Sequence, residues 1–184
     1  MKVKVGVSNR HVHLTKEDFK ILFGVDKLTK RNDLSQPGEF ACNETVTLLT
    51  AKNKIENVRI LGPFRIYTQV EVSKTDARIL GINPPIRDSG DLEGASNVTL
   101  IGPNGQIDRN SCTIATRHIH ITKELKEQYH LKDKVKVKIL SEKPAILEEV
   151  HVKTSDHYLF ELHLDTDDAN ANLVNQGDEA EIIC

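Results

Sequence analysis

The chain writes one histidine phrase twice: residues 9–18 read NRHVHLTKED and residues 116–125 read TRHIHITKEL. Each carries His-x-His, giving the pairs His11/His13 and His118/His120, with Arg before and Thr-Lys-Glu after. Side chains two apart on a strand point to the same face. Each phrase therefore offers two imidazoles side by side, a common way to begin a metal site. Two such phrases in 184 residues suggest a protein built around two metal ions.

The flanks extend the pattern. After each His-x-His comes one apolar residue, a helix-capping residue and a short helical stretch: Leu14-Thr15 before KEDFKILFG, and Ile121-Thr122 before KELKEQYHL. Glu71-Val72-Ser73 before KTDARILG and His163-Leu164-Asp165 before TDDANANLV share this grammar. Thr15, Ser73 and Asp165 each have Asp three residues on, resembling a capping box with Asp in place of Glu or Gln. Gly24 and Gly81 are suited to stop the helices. At all four strand-to-helix corners a potential ligand sits two residues before the cap. The economical partition is His11, His13 and Glu71 in the first half, and His118, His120 and His163 in the second. Three protein ligands leave coordination positions open for substrate or water, as in catalytic rather than structural sites.

Arg65 lies six residues before Glu71, an even spacing. It shares that carboxylate's face if FRIYTQVE is one extended strand. An arginine there offers a forked grip for phosphate or a carboxylate; an ordinary surface arginine is the competing reading. Arg10 and Arg117 face away from the adjacent imidazoles on a regular strand and read as packing or salt-bridging residues. His130, His151 and His157 read as surface histidines.

The elements that must position these residues are mostly strands. β-branched alternating stretches occur at 2–8, 45–50, 55–61, 66–72, 97–102, 112–121, 134–140, 146–153, 158–164 and 179–183. Lys52-Asn53 and Pro103-Asn104-Gly105 read as hairpin turns. Residues 83–95 read as an ordered loop, and 28–44 as irregular, with a turn at Ser35-Gln36-Pro37-Gly38. A mainly-β chain with short helices suits barrels.

Composition excludes several classes. With 38% hydrophobic and 28% charged residues the chain is globular, and a net charge of −2 argues against general nucleic-acid affinity. No apolar run is long enough to span a membrane. The N-terminus MKVKVGVSNR reads as a strand and lacks a signal peptide's apolar stretch. Cys42, Cys112 and Cys184 are far apart and odd in number, as expected of reduced thiols in the cytosol. A cupin is the nearest rival fold: His11, His13, Glu17 and Gly24 fit much of its first metal motif. Gly6 is one residue out of place for it, however, no second cupin motif follows, and Glu17 falls in a helical stretch. No phosphate loop, G-x-S-x-G nucleophile or dinucleotide fingerprint is present.

VGVSNRHVHLTKEDF, DLSQPGEFACNETVTL, LGPFRIYTQVEVSKTDA, LGINPPIRDSGDLEGA, TRHIHITKE and ELHLDTDDANA together resemble the PduL-type phosphate acyltransferases, also called phosphate propanoyltransferases. The resemblance covers nearly the whole chain, with several long motifs in order. It implies two small interleaved β-barrels with short capping helices, the N-terminal strand joining the barrel of the C-terminal part. Residues 1–10 and 115–184 would form one barrel and 11–114 the other, with an irregular insertion near 25–44. It implies two zinc ions between them, one held by His11, His13 and Glu71, the other by His118, His120 and His163, and it makes Arg65 the phosphate-binding arginine.

The implied reaction is acyl-CoA plus phosphate giving acyl phosphate plus CoA, reversibly, with propanoyl-CoA or acetyl-CoA as acyl donor. Zinc suits it by polarising the thioester carbonyl or stabilising the departing thiolate. Arg65 would aim a phosphate oxygen at the carbonyl, and no protein nucleophile is required. The loop Asn83–Gly94 is a candidate part of the CoA site, with no contacts assigned. A homodimer or higher homo-oligomer is a family expectation. Members housed in bacterial microcompartments carry an amphipathic N-terminal targeting segment; here the first strand begins at residue 2, so a freely cytosolic enzyme is expected. The competing functions are a zinc-dependent thioester hydrolase and a non-catalytic metal-binding module.

Overall fold

The alternating runs become strands that close into two rings in the computed structural model, which describes residues 1–183. In chain order the elements are β1 (Lys2–Ser8), β2 (His11–His13), α1 (Lys16–Phe23), β3 (Lys30–Asp33), β4 (Phe40–Leu49), β5 (Lys54–Gly62), β6 (Gln69–Glu71), α2 (Lys74–Leu80) and β7 (Ile86–Arg87). There follow β8 (Ser96–Ile101), β9 (Gln106–Ala115), β10 (His118–Ile121), α3 (Lys123–Gln128), β11 (Lys134–Ile139), β12 (Ile146–Thr154), β13 (Glu161–Asp165), α4 (Thr166–Ala171) and β14 (Glu179–Ile183). No helix among the described residues is long and apolar enough to cross a membrane.

Two compact units result. One comprises Met1–Asn9, Ser35–Pro37 and the described chain from Thr116 on; the other comprises Arg10–Leu34 and Gly38–Ala115. The first unit is a closed barrel in the order β1-β13-β10-β12-β11-β14. In the second, β2 pairs with β5 and β6, β4 with β5 and β8, and β9 with β6 and β8, which closes another six-stranded ring. Closure leaves no open edge within either ring. Each barrel buries its own apolar cluster, with Val5, Ile119, Val137 and Leu162 in one and Val12, Phe19, Ile60 and Leu100 in the other.

The pairing senses match strand for strand. β2 lies parallel to β5 and antiparallel to β6; β10 lies parallel to β12 and antiparallel to β13. β6 runs parallel to β9, and β13 parallel to β1. The chain therefore consists of two repeats, each of which gives its first strand to the other's barrel: β1 closes the ring of the second repeat and β9 that of the first.

Helix ends follow local chemistry. Thr15, Ser73, Thr122 and Asp165 are the N-caps, each accepting from the backbone N–H three residues on. Gly24 and Gly81 close α1 and α2 in the left-handed conformation. A reciprocal capping box forms at Ser73–Asp76. The Asp residues after Thr15 and Asp165 are engaged elsewhere: Asp18 accepts from Thr68 and Arg109, and Asp168 from Arg117.

Four sequence readings need correction. FRIYTQVE is not one strand: β6 begins at Gln69, and the chain from Pro63 to Thr68 bends away, Pro63 having no N–H to continue the ladder. The run 112–121 is two strands, β9 and β10, broken at Thr116-Arg117. The irregular stretch 28–44 contains β3 and the start of β4, and the loop 83–95 contains the short β7. These pieces are polar or short, so alternation gives little sign of them.

Candidate metal centres

The four N-terminal ligand candidates of the two repeats lie on very short strands, each locked between longer ones. In the Arg10–Ala115 unit, β2 pairs antiparallel with β6 so that His11 stands opposite Glu71 and His13 opposite Gln69. The His11 Nε2 to Glu71 Oε2 distance is 3.5 Å, and the His11 and His13 rings meet edge to face at 5.1 Å. Both histidines are buried. His13, His11 and Glu71 bring three ligand atoms within 4.8 Å of one another. Burial, then the charges of His11 and Arg65, hold the His13 imidazole well below its ordinary value, so it is neutral and able to coordinate.

Arg65 reaches this cluster by a route that strand alternation does not describe. Its backbone N–H donates to Leu14 O at 2.9 Å, docking the Pro63–Thr68 bend beside His13. Its guanidinium pairs with Glu39 through Nη2. Its Nε is buried without a hydrogen-bond partner, as is His13 Nδ1. Buried polar atoms without partners are costly, and a bound ion or ligand would relieve that cost.

The other barrel repeats the arrangement with a third imidazole. β10 pairs antiparallel with β13, placing His118 opposite His163 and His120 opposite Glu161. The three rings lie at 4.8 Å (His118–His120), 5.0 Å (His118–His163) and 4.4 Å (His120–His163), and they form the second cluster of ligand atoms within 4.8 Å. His118 Nδ1 donates to Thr116 O at 2.7 Å, which leaves Nε2 as its open lone pair. Burial, then Lys153 and His163, keep the His118 imidazole well below its ordinary value.

Sequence reasoning missed several neighbours. Tyr158 stacks on His120 at 4.0 Å and 14°. Glu161 lies 2.9 Å from His163 Nε2 and accepts from Ser35 and Gln36. Burial alone would raise the Glu161 carboxyl, but hydrogen bonds from His163 and Ser35 outweigh it and bring it down to about 2. In the first cluster, Gln69 donates to Thr113 and accepts from the Gly90 N–H, tying the 83–95 loop to the barrel. Glu161 and Gln69 each stand two before a third ligand, so strand alternation could have pointed to them. Ser35, Gln36 and Tyr158 lie in loops and carry no periodic signal. Glu17 is exposed on α1, away from any cupin-like role.

Either donor set fits a zinc ion. Three imidazole nitrogens, or two and a carboxylate oxygen, leave a fourth tetrahedral position open, and a cation would supply the partner that the buried His13 Nδ1 lacks.

Fold and sites together define a double-barrel protein with one histidine-rich cluster of candidate metal ligands in each barrel. The sequence profile described as phosphate propanoyltransferase matches residues 4–175. A phosphate propanoyltransferase of Thermotoga maritima is 48% identical over 184 residues, covering 97% of this chain and 88% of the relative. One of Priestia megaterium is 49% identical over 180 residues, covering 96% and 83%. One of Citrobacter freundii is 44% identical over 173 residues, covering 92% and 82%. The chain belongs to the phosphate propanoyltransferase family.

Proposed function

We propose that this phosphate acyltransferase converts acyl-CoA, with a propanoyl or acetyl group, and phosphate to acyl phosphate and CoA, reversibly and by direct attack of phosphate. His11, His13 and Glu71 would hold one zinc ion and His118, His120 and His163 a second. Zinc bound at such donor sets supplies a Lewis acid for a thioester carbonyl and a soft partner for a leaving thiolate.

The observation that carries the reading is Arg65. Its backbone is pinned to Leu14 beside His13, Glu39 holds one end of its guanidinium, and its buried Nε has no partner. A phosphate oxygen would satisfy that N–H, and the fixed guanidinium would aim a second oxygen at the acyl carbon. Electrostatic stabilisation of this type accounts for about 10²–10³-fold in rate. Glu39 keeps the arginine oriented without blocking Nε. No side chain is required to carry the acyl group.

Thiol release from propanoyl-CoA and acetyl-CoA, measured with and without phosphate, tests the reaction. Release should require phosphate. Phosphate-independent release would mean a thioester hydrolase, and metal binding with no release a non-catalytic module. Acylated protein trapped without phosphate would overturn direct attack. Arg65→Ala should keep both ions and lose phosphate-dependent turnover; near-normal turnover and phosphate affinity would remove Arg65 from the role.

A further inference from the structure

A carboxylate, Glu161, backs the three-histidine cluster where the other barrel has an amide, Gln69. In the first cluster the third ligand candidate, Glu71, stands opposite Thr113 of β9. Two residues before it, the neutral Gln69 donates to Thr113 Oγ1 at 3.0 Å. In the second cluster the third ligand candidate, His163, stands opposite Gly6 of β1. Two residues before it stands Glu161. The roles are exchanged: a carboxylate ligand backed by an amide in one barrel, an imidazole backed by a carboxylate in the other. Each cluster thus has one carboxylate at its third strand with which to compensate a dication.

The surroundings of Glu161 are built to hold it. It is 7% exposed. Its Oε2 accepts from Ser35 Oγ at 2.6 Å and from Gln36 Nε2 at 3.2 Å, and lies 2.9 Å from His163 Nε2. Gln36 is itself fixed by two bonds to Leu159, donating to its carbonyl at 3.2 Å and accepting from its N–H at 3.1 Å. Gly6 leaves the space: a Cβ there would stand 3.0 Å from the Glu161 Cδ and 3.2 Å from each carboxylate oxygen. Thr113 occupies the matching position in the other barrel, where the smaller charge demand of Gln69 is met by a hydroxyl. Burying a carboxylate is unfavourable unless positive charge or hydrogen bonds compensate it. Here a hydroxyl, an amide and an imidazole surround it, and an ion on that imidazole would complete the compensation.

We propose that Glu161 is a positioning residue for the second metal ion: it accepts a hydrogen bond from the His163 Nε2–H, so that Nδ1 is the nitrogen presented to the ion. It also places beside the ion the negative charge that Glu71 contributes directly in the other barrel. A carboxylate behind a ligating imidazole fixes the ring and strengthens its basicity. The proposal rests on reading His118, His120 and His163 as a metal site.

Zinc titration against a competing chelator, with ¹⁵N-histidine spectra of the zinc-loaded protein, tests it. The wild-type chain should bind two ions, with His163 protonated at Nε2 and metallated at Nδ1. Glu161→Gln keeps the size and should weaken one ion about 10–100-fold while leaving the other unchanged. Gly6→Ala keeps the carboxylate but displaces it, and should weaken the same ion. Metallation of His163 at Nε2, or two unweakened ions in Glu161→Gln, overturns the proposal alone. A wild-type chain with no ion at the three histidines overturns both this and the metal-site reading.

Discussion

Arg10 and Asp76 form an ion pair at 2.9 Å that joins the strand bearing His11 and His13 to the helix following Glu71. Asp76 does two jobs there, since its carboxylate also accepts from the Ser73 N–H in the capping box. Arg117 repeats the pair with Asp168, through two bonds of 2.9 and 2.7 Å, joining the His118–His120 strand to the helix following His163. Each arginine precedes a His-x-His pair and ties the start of that strand to the helix that follows the third candidate ligand. Alternation alone reads these arginines as salt-bridging residues; only the tertiary fold shows which aspartates they grip.

Removing either arginine should cost stability and loosen one metal centre only. Arg10→Ala leaves the buried Asp76 with its cap bonds but no cation, and should lose about 1–3 kcal/mol in denaturant unfolding. Metal affinity should fall at the His11/His13/Glu71 cluster and stay unchanged at the other; Arg117→Ala should give the reverse. Equal loss at both clusters would sink the local reading.

Single-ligand variants should count the ions. His13→Ala and His120→Ala should each bind one zinc equivalent where the parent binds two, and the double variant none. Chelator treatment should lower the thermal midpoint of the parent, because an ion bound only to the folded state stabilises it by mass action. A midpoint indifferent to chelator would argue against tight binding at either cluster.

The six ligand candidates are readable in the sequence because a repeated phrase samples the same local structure twice. The caps at Thr15, Ser73 and Asp165 are readable because capping is decided within one turn. Arg65 was legible as a candidate but for the wrong geometric reason: it arrives by a bend bonded to Leu14, not along a strand. Glu161 is legible only as a same-face neighbour of His163, whereas Ser35 and Gln36 are not legible, since their bonds to Glu161 join residues more than a hundred positions apart. Cys42 and Cys112 are free and buried, while Cys184 lies outside the described residues.

Gly102→Ala should destabilise the Arg10–Ala115 unit. A Cβ at Gly102 would lie 2.4 Å from the Leu22 carbonyl oxygen, where the end of α1 packs on the β8–β9 hairpin and Asn104 N–H donates to that same carbonyl. Backbone cannot yield as a flexible side chain can, so a loss of about 1–3 kcal/mol is expected. In calorimetry Leu100→Val, a change in the strand that Gly102 follows, sets the scale: if Gly102→Ala costs less, the close approach is unimportant.

The buried thiols should make alkaline stability fall. Burial pushes Cys42 and Cys112 up to about 12, while an unfolded cysteine ionises near about 8.5. The native state therefore holds these protons where the unfolded state releases them. Stability from the pair is fully present below about pH 8.5 and declines as pH rises toward about 12, by up to about 1.4 kcal/mol per pH unit for each thiol. Denaturant unfolding at pH 8 and pH 10 should show the decline, and it should shrink in Cys42→Ala/Cys112→Ala. At pH 8 the native thiolate fraction is roughly one in ten thousand, so alkylating reagents should label both positions only after unfolding. Rapid labelling of either in the folded protein would contradict its burial.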